Sequence, residues 1–171
     1  MKKENSDTNW NVLYTASRQE KKVAEKLMEK GVEHYLPMVK ILSQWTDRKK
    51  VVEKPLFSGY VFVKEQPVYE DILKTTGVVA YLRYNGRHAV VRQHEIDTIK
   101  SVIRYGYDVA ALQKDRALDL GQKVVVTDGP LKGNIGELLK KSDGEFFVIH
   151  FENFGNSLQV KIPSGLLKPI Q

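Results

Sequence analysis

The chain has 171 residues, 42% hydrophobic and 28% charged, which supplies a core and excludes wholesale disorder. It has no cysteine, excluding disulfides, thiol nucleophiles and thiolate metal sites together, and no stretch nears the roughly 20 apolar residues that cross a bilayer. The polar start Met1–Asp7 lacks the apolar run of a signal peptide, so a cytoplasmic protein with no membrane partner is expected, and a net charge of +6 mildly favours polyanionic company, nucleic acid first.

Residues 1–9 read as a polar tail. Alternation of Trp10, Val12 and Tyr14 against Asn11, Leu13 and Thr15 predicts a strand. Ser17-Arg18-Gln19-Glu20 has the S-x-x-E form of a capping box, and Val23, Ala24, Leu27 and Met28 follow at helical spacing, with Gly31 as the C′ residue. Glu33 to Trp45 reads as one long strand or as a strand interrupted at Pro37. Thr46 to Lys50 is a polar, basic turn, Val51-Val52 begins a return strand, and Pro55 to Val63 is rich in aromatics. Pro67 suits the first turn of a short helix carrying Tyr69, Ile72 and Leu73, which Gly77 can end. Val78–Tyr84 and Ala89–Arg92 flank Asn85-Gly86, a hairpin turn signal. A last helix places Ile96, Ile99 and Ile103 on one side. The order predicts an antiparallel sheet backed by helices over residues 10–105.

From Gly106 to Asp119 the periodicity fades, so 106–119 is expected to be an interdomain linker. Residues 120–171 carry short strands instead: Lys123–Thr127, Ile135–Lys141, Phe146–Phe151 and Leu158–Ile162, with a second hairpin turn at Asp143-Gly144. Strands this short and this regularly punctuated predict a small barrel. The run from Gly121 to Gly136, Gly-Gln-Lys-Val-Val-Val-Thr-Asp-Gly-Pro-Leu-Lys-Gly-Asn-Ile-Gly, alternates valines on one face and sets glycines Gly121, Gly129, Gly133 and Gly136 where the backbone must bend. It resembles a KOW motif, whose families form a five-stranded barrel. The resemblance therefore implies an α+β chain: an antiparallel sheet flanked by helices, then a small five-stranded β-barrel.

The first half resembles the NusG amino-terminal (NGN) domain. The residues that carry this are Trp10-Asn-Val-Leu-Tyr14-Thr, the helix with Arg18-Gln19-Glu20-Lys21, Tyr35-Leu36-Pro37, Pro55 to Val63, Thr76-Gly77-Val78 and Leu82-Arg83. With the KOW run behind it, the chain resembles the NusG/RfaH family of bacterial elongation factors over residues 9 to 171. In Gly59–Val63, alternation sends Tyr60 and Phe62 to one sheet face and Val61 and Val63 to the other. If helices cover the valine face, the aromatics line an open one with Tyr14. The resemblance implies that Tyr14, Phe57, Tyr60 and Phe62 receive the β′ clamp helices of RNA polymerase; the alternative is that they are core. It also implies that Arg18, Gln19, Lys22, Lys26, Thr75 and Thr76 meet the displaced non-template DNA strand. That basic set fits phosphate binding, and equally an ordinary solvated helix face.

An active site needs convergent nucleophile, base or metal ligands. His34, His88, His94 and His150 are scattered, with no paired metal spacing, and there is no phosphate loop or nucleophile elbow. A non-enzymatic factor without a cofactor is expected. Within the family, Tyr35 to Lys40, Gln44 to Lys49 and Pro55-Leu56-Phe57 are most similar to specialised antiterminators of the UpxY type, which serve long operons such as capsular polysaccharide loci. A general NusG, coupling polymerase to Rho or the ribosome through its KOW domain, is the alternative; Asn156 to Val160 departs from the charged hairpin of that type. A KOW-type RNA- or ribosome-binding protein is the rival from another class.

Overall fold

The computed structural model describes residues 8–64, 69–113 and 120–171, and the chain divides into two units, Met1–Gln93 and His94–Gln171. In chain order the first unit runs β1 (Asn9–Thr15), α1 (Glu20–Glu29), β2 (His34–Tyr35), β3 (Met38–Gln44), β4 (Lys49–Pro55), β5 (Tyr60–Lys64), α2 (Tyr69–Leu73), β6 (Val78–Tyr81), β7 (Arg83–Tyr84), β8 (Arg87–His88) and β9 (Val90–Arg92). Pro67, expected to open α2, lies outside the described residues.

β1 is the centre of a five-stranded antiparallel sheet. On one side it pairs with β5 in the register Val12↔Phe62, Leu13↔Val61 and Tyr14↔Tyr60, and β2 pairs with β5 beyond it. On the other side β6 takes Leu13–Thr15 and β9 takes Asn9–Asn11. Side chains alternate across the pleat, so Leu13, Val61 and Val63 share one face. There they pack with Val23 and Leu27 of α1, Ile72 of α2 and Tyr81 in one buried cluster. Each fully buried aliphatic side chain contributes about 1.5–3 kcal/mol, so the helices are held by this cluster more than by their own propensity.

The ends of α1 differ from each other in how well the residue pattern anticipates them. At its C-terminus Gly31 N–H donates to Met28 O and Val32 N–H to Leu27 O, the paired bonds of a Schellman motif. At its N-terminus the expected capping box is absent: no side chain caps the helix. Glu20, the residue that would close the box, instead accepts the backbone N–H of Gly59. The stretch from Glu33 is broken at Leu36-Pro37 into β2 and β3, since proline removes the donor that a continuous strand needs. Asn85-Gly86 turns between β7 and β8 with positive φ at both residues, as expected.

The second unit holds most of α3 (Gln93–Arg104), then β10 (Val109–Gln113), β11 (Leu120–Val126), β12 (Ile135–Lys141), β13 (Gly144–Phe151), β14 (Asn156–Val160), a 3-10 turn and β15 (Leu167–Pro169). The buried stripe of α3 is Ile96, Ile99 and Val102, one residue off the predicted third position. The strands form one antiparallel path, β10-β14-β13-β12-β11-β15. Three expectations are corrected here. The five-stranded barrel is not found among the described residues; there the path has six strands and its two ends, β10 and β15, do not pair. The segment 106–119 is not all linker: Val109–Gln113 pairs with β14 from Val109↔Val160 to Gln113↔Asn156 and occupies the edge that a closing strand would need. Residues 114–119 of that segment lie outside the described residues. The hairpin turn between β12 and β13 is Ser142-Asp143 rather than Asp143-Gly144, because Lys141 pairs with Gly144.

Candidate functional site

Tyr14 and Tyr60 are cross-strand neighbours on the sheet face opposite the helix-covered valines. Their ring centroids stand 5.9 Å apart at a tilt of 51°, and Tyr14 is 45% exposed. Burial first, and the neighbouring Tyr14 second, push the Tyr60 hydroxyl above its ordinary value of 10.0, so it stays a neutral donor at physiological pH. Phe57 and Phe62 share this aromatic row but not its exposure. Phe62 is 0% and Phe57 2% exposed, so the expectation that both lie open to a partner is corrected. Phe62 sits mid-sheet, edge-on to Phe57 at 5.8 Å and stacked on Tyr35 at 6.5 Å. Those two residues shield it, and alternation alone could not reveal that. Phe57 and Phe62 are the floor behind the exposed Tyr14 and the half-buried Tyr60.

Burial also lifts the Tyr35 hydroxyl to about 12. Beneath Tyr14 runs the Phe57–Gly59 loop: Tyr60 N–H donates to Phe57 O, Thr15 N–H donates to Gly59 O, and the Glu20 carboxylate receives Gly59 N–H at 2.8 Å. A β-carbon on Gly59 would meet Tyr14 Cε2 at 3.4 Å. Glu20 thus fixes the loop that carries Tyr60. The sequence offered only a helix cap as its role.

The residues expected to meet DNA fall into two groups. Ala16 N–H donates to Gly77 O at 2.8 Å, which brings the entry of α1 beside the turn after α2. A β-carbon on Gly77 would meet Val23 Cγ2 at 2.9 Å and Gln19 Cβ at 3.3 Å, so only glycine allows this approach. Arg18, Lys22 and Thr76 are exposed there, with Gln19 and Lys26 half-buried. Thr75 is the exception, at 3% exposed. Its hydroxyl accepts from Lys30 Nζ at 3.0 Å and donates to Asp71 O at 3.3 Å. It is a joint between the end of α1 and the end of α2, and its burial withholds the hydroxyl from a ligand. Lys30, which the sequence did not single out, completes that joint by also donating to Asp71 O. Arg18 has φ of +59°, rare for a residue with a side chain.

In the second unit the glycines serve backbone geometry. Gly129 and Gly133 have positive φ in the turn between β11 and β12. Gly121 sits where the β11 register shifts, its absent β-carbon facing Leu138 O at 3.1 Å. At Gly136 a β-carbon would collide with Val148 O and lie 2.6 Å from the Phe147 ring. Nearby, His150 Nδ1 is 2.7 Å from Ser157 Oγ and its Nε2 is 3.7 Å from Glu137 Oε1. These are the residue types of a nucleophilic triad, but Ser157 is 3% exposed and cannot meet a substrate. Among the described residues no three His, Asp or Glu could hold a metal ion, and no helix is long and apolar enough to cross a membrane.

Comparison with known families shows the family of the chain. The family model described as transcription termination factor nusG matches residues 8–100, over half of the chain. The chain belongs to the NusG family. NusG-family proteins are non-enzymatic transcription factors. A solved structure of Thermotoga maritima NusG, concerned with its domain interaction, is similar with a TM-score of 0.57 at 17% identity, covering 96% of this chain and 98% of that one. At that identity the likeness speaks to the NusG fold alone. Two structures of the MjSpt4:Spt5 complex, conformations A and B, align over 94% of this chain and 97% and 96% of theirs. Their identities are 16% and 17%, and their TM-scores of 0.31 and 0.29 are too low to support any inference.

Proposed function

We propose that this NusG-family chain is an elongation factor that docks on the clamp helices of the RNA polymerase β′ subunit in the cytoplasm and opposes pausing and termination. The observation that carries the reading is the tyrosine pair. Tyr14 opens to solvent and the half-buried Tyr60 stands beside it, on an aromatic face where Phe57 and Phe62 are buried. Exposed aromatic surface backed by a rigid floor suits a protein partner. A factor that binds only the closed clamp shifts the polymerase population toward it, and no chemistry is required.

The entry of α1 supports a second contact, with the displaced non-template DNA strand. Arg18, Lys22 and Thr76 are exposed together, Gln19 and Lys26 lie beside them, and basic side chains hold phosphate without reading sequence. Arg18 occupies a left-handed backbone conformation that costs about 1–2 kcal/mol, a cost that a functional side chain would justify. Residues 10–105 form the docking domain in this reading, and residues 120–171, with their KOW-like glycine turn, are free for a further partner such as Rho or the ribosome. The segments Tyr35 to Lys40 and Gln44 to Lys49 favour a specialised antiterminator of the UpxY type serving long operons. The test is transcription on a template carrying a pause site and a terminator. Added protein is expected to shorten the pause and raise read-through, and unchanged elongation would refute the reading.

A further inference from the structure

The strands β3 and β4 pair only with each other and stand outside the main sheet. Seven cross-strand pairs run from Met38↔Pro55 to Gln44↔Lys49, yet none of residues 39–55 is buried. A lone two-stranded ribbon is at best marginally stable in water. This one nevertheless keeps Ile41, Leu42, Val51 and Trp45 exposed, which a merely structural connection does not need.

Its two faces differ in charge. On one side Lys40 lies opposite Glu53, Leu42 opposite Val51 and Gln44 opposite Lys49, so two lysines share the face with a carboxylate. The other side pairs Val39 with Lys54, Ile41 with Val52 and Ser43 with Lys50, and it carries no carboxylate. Lys50 Nζ stands 5.7 Å from the Trp45 ring centroid, which puts the indole at the tip of this same face. Trp45 is 53% exposed. Lys50, Lys54 and the tip residue Arg48 form no ion pair among the described residues. Lys50 and Lys54 are four residues apart on one strand, roughly 13 Å at about 3.3 Å per residue.

We infer that this face of the β3–β4 ribbon binds single-stranded nucleic acid, stacking an unpaired base on Trp45 and holding the backbone phosphates with Lys50 and Lys54. Trp45 is half exposed with Lys50 over one side of its ring, so the indole surface that is left offers a π-face to any base, and the lysines beside it supply sequence-independent phosphate contacts. This face of the two strands carries no carboxylate to repel a polyanion, and the exposed Asp47 of the tip turn is flanked in sequence by Arg48 and Lys49. The ribbon shares no residue with the surface at the entry of α1, and the inference does not rest on docking to polymerase.

The test titrates the full-length protein against labelled oligonucleotides of one sequence: single-stranded DNA, single-stranded RNA and the DNA duplex. Single strands are expected to bind better than the duplex and to quench indole fluorescence. Trp45→Ala is expected to weaken single-strand binding about fivefold or more and to abolish the quench, while Trp45→Phe, which keeps a π-face, retains most of the affinity. Lys50→Glu/Lys54→Glu is expected to flatten the salt dependence by roughly 0.7 in slope for each phosphate that is no longer neutralised. Residual binding by the α1 surface leaves these differences intact. Stronger binding of DNA or of RNA identifies which strand the ribbon serves. Unchanged single-strand affinity in the Trp45→Ala and double-lysine variants, with circular dichroism showing both folded, overturns the inference, as does a preference for duplex that ignores Trp45.

Discussion

The Glu20 carboxylate accepts the backbone N–H of Gly59 at 2.8 Å across 39 positions of sequence, joining the first turn of α1 to the loop before β5. Glu20 is buried, so its removal leaves the half-buried Gly59 amide without its charged acceptor. Glu20→Ala is expected to cost about 1–3 kcal/mol in urea unfolding, and Glu20→Gln, which keeps a carbonyl acceptor, distinctly less. A helix cap alone would make the loss independent of Gly59. A double cycle with Gly59→Ala, which disturbs the same loop beneath Tyr14, is therefore expected to show coupling of about 0.5 kcal/mol or more.

Arg18 is held at φ +59°. Glycine accepts that conformation freely, so Arg18→Gly is expected to raise stability by about 0.4–1 kcal/mol while lowering affinity for single-stranded DNA. Thermal unfolding and a binding titration on the same variant separate the two effects. A loss of stability would mean that the side chain, rather than its use in binding, holds the turn together.

Gly136 and Gly133 make a matched pair in the second unit. At Gly136 there is no space for a methyl group, between Val148 O and the Phe147 ring. Gly133→Ala meets nothing within 4 Å and bears only the strain of φ +87°. Gly136→Ala is expected to cost about 3 kcal/mol or more through overpacking, and Gly133→Ala about 1–2 kcal/mol. Denaturant midpoints of the two variants give the comparison.

What the sequence made legible follows from how local each signal is. The strand at Trp10–Thr15, the glycine end of α1 and the Asn85-Gly86 turn each depend on a few adjacent residues, and all appear where expected. The capping-box pattern at Ser17–Glu20 is equally local, but the Gly59 amide 39 positions away takes the same carboxylate. Alternation assigned Phe62 to the face of Tyr60 correctly and could not say that Tyr35 and Phe57 cover it. Thr75 reads as a surface threonine until Lys30 is seen against it. Val109–Gln113 has little pattern of its own and becomes a strand through pairing with β14.

Tyr35 gives a pH dependence of stability. Its pKa is lifted to about 12 in the folded chain by burial, from 10.0. An acid that binds its proton more tightly when folded contributes stability that is whole below about pH 10 and is lost as pH rises toward about 12. Urea midpoints of the parent are therefore expected to fall across that window more steeply than those of Tyr35→Phe, which has no proton there to lose. Parallel profiles would show that Tyr35 is solvated.

Tyr14 and Tyr60 are proposed as the polymerase contact, with Phe57 and Phe62 as its floor. Retention of purified bacterial polymerase core by immobilised protein tests it most directly. Binding by the wild-type chain, lost in Tyr14→Ala/Tyr60→Ala while unfolding curves of the variant match the parent, is the predicted result. Undiminished binding by that folded variant would contradict it.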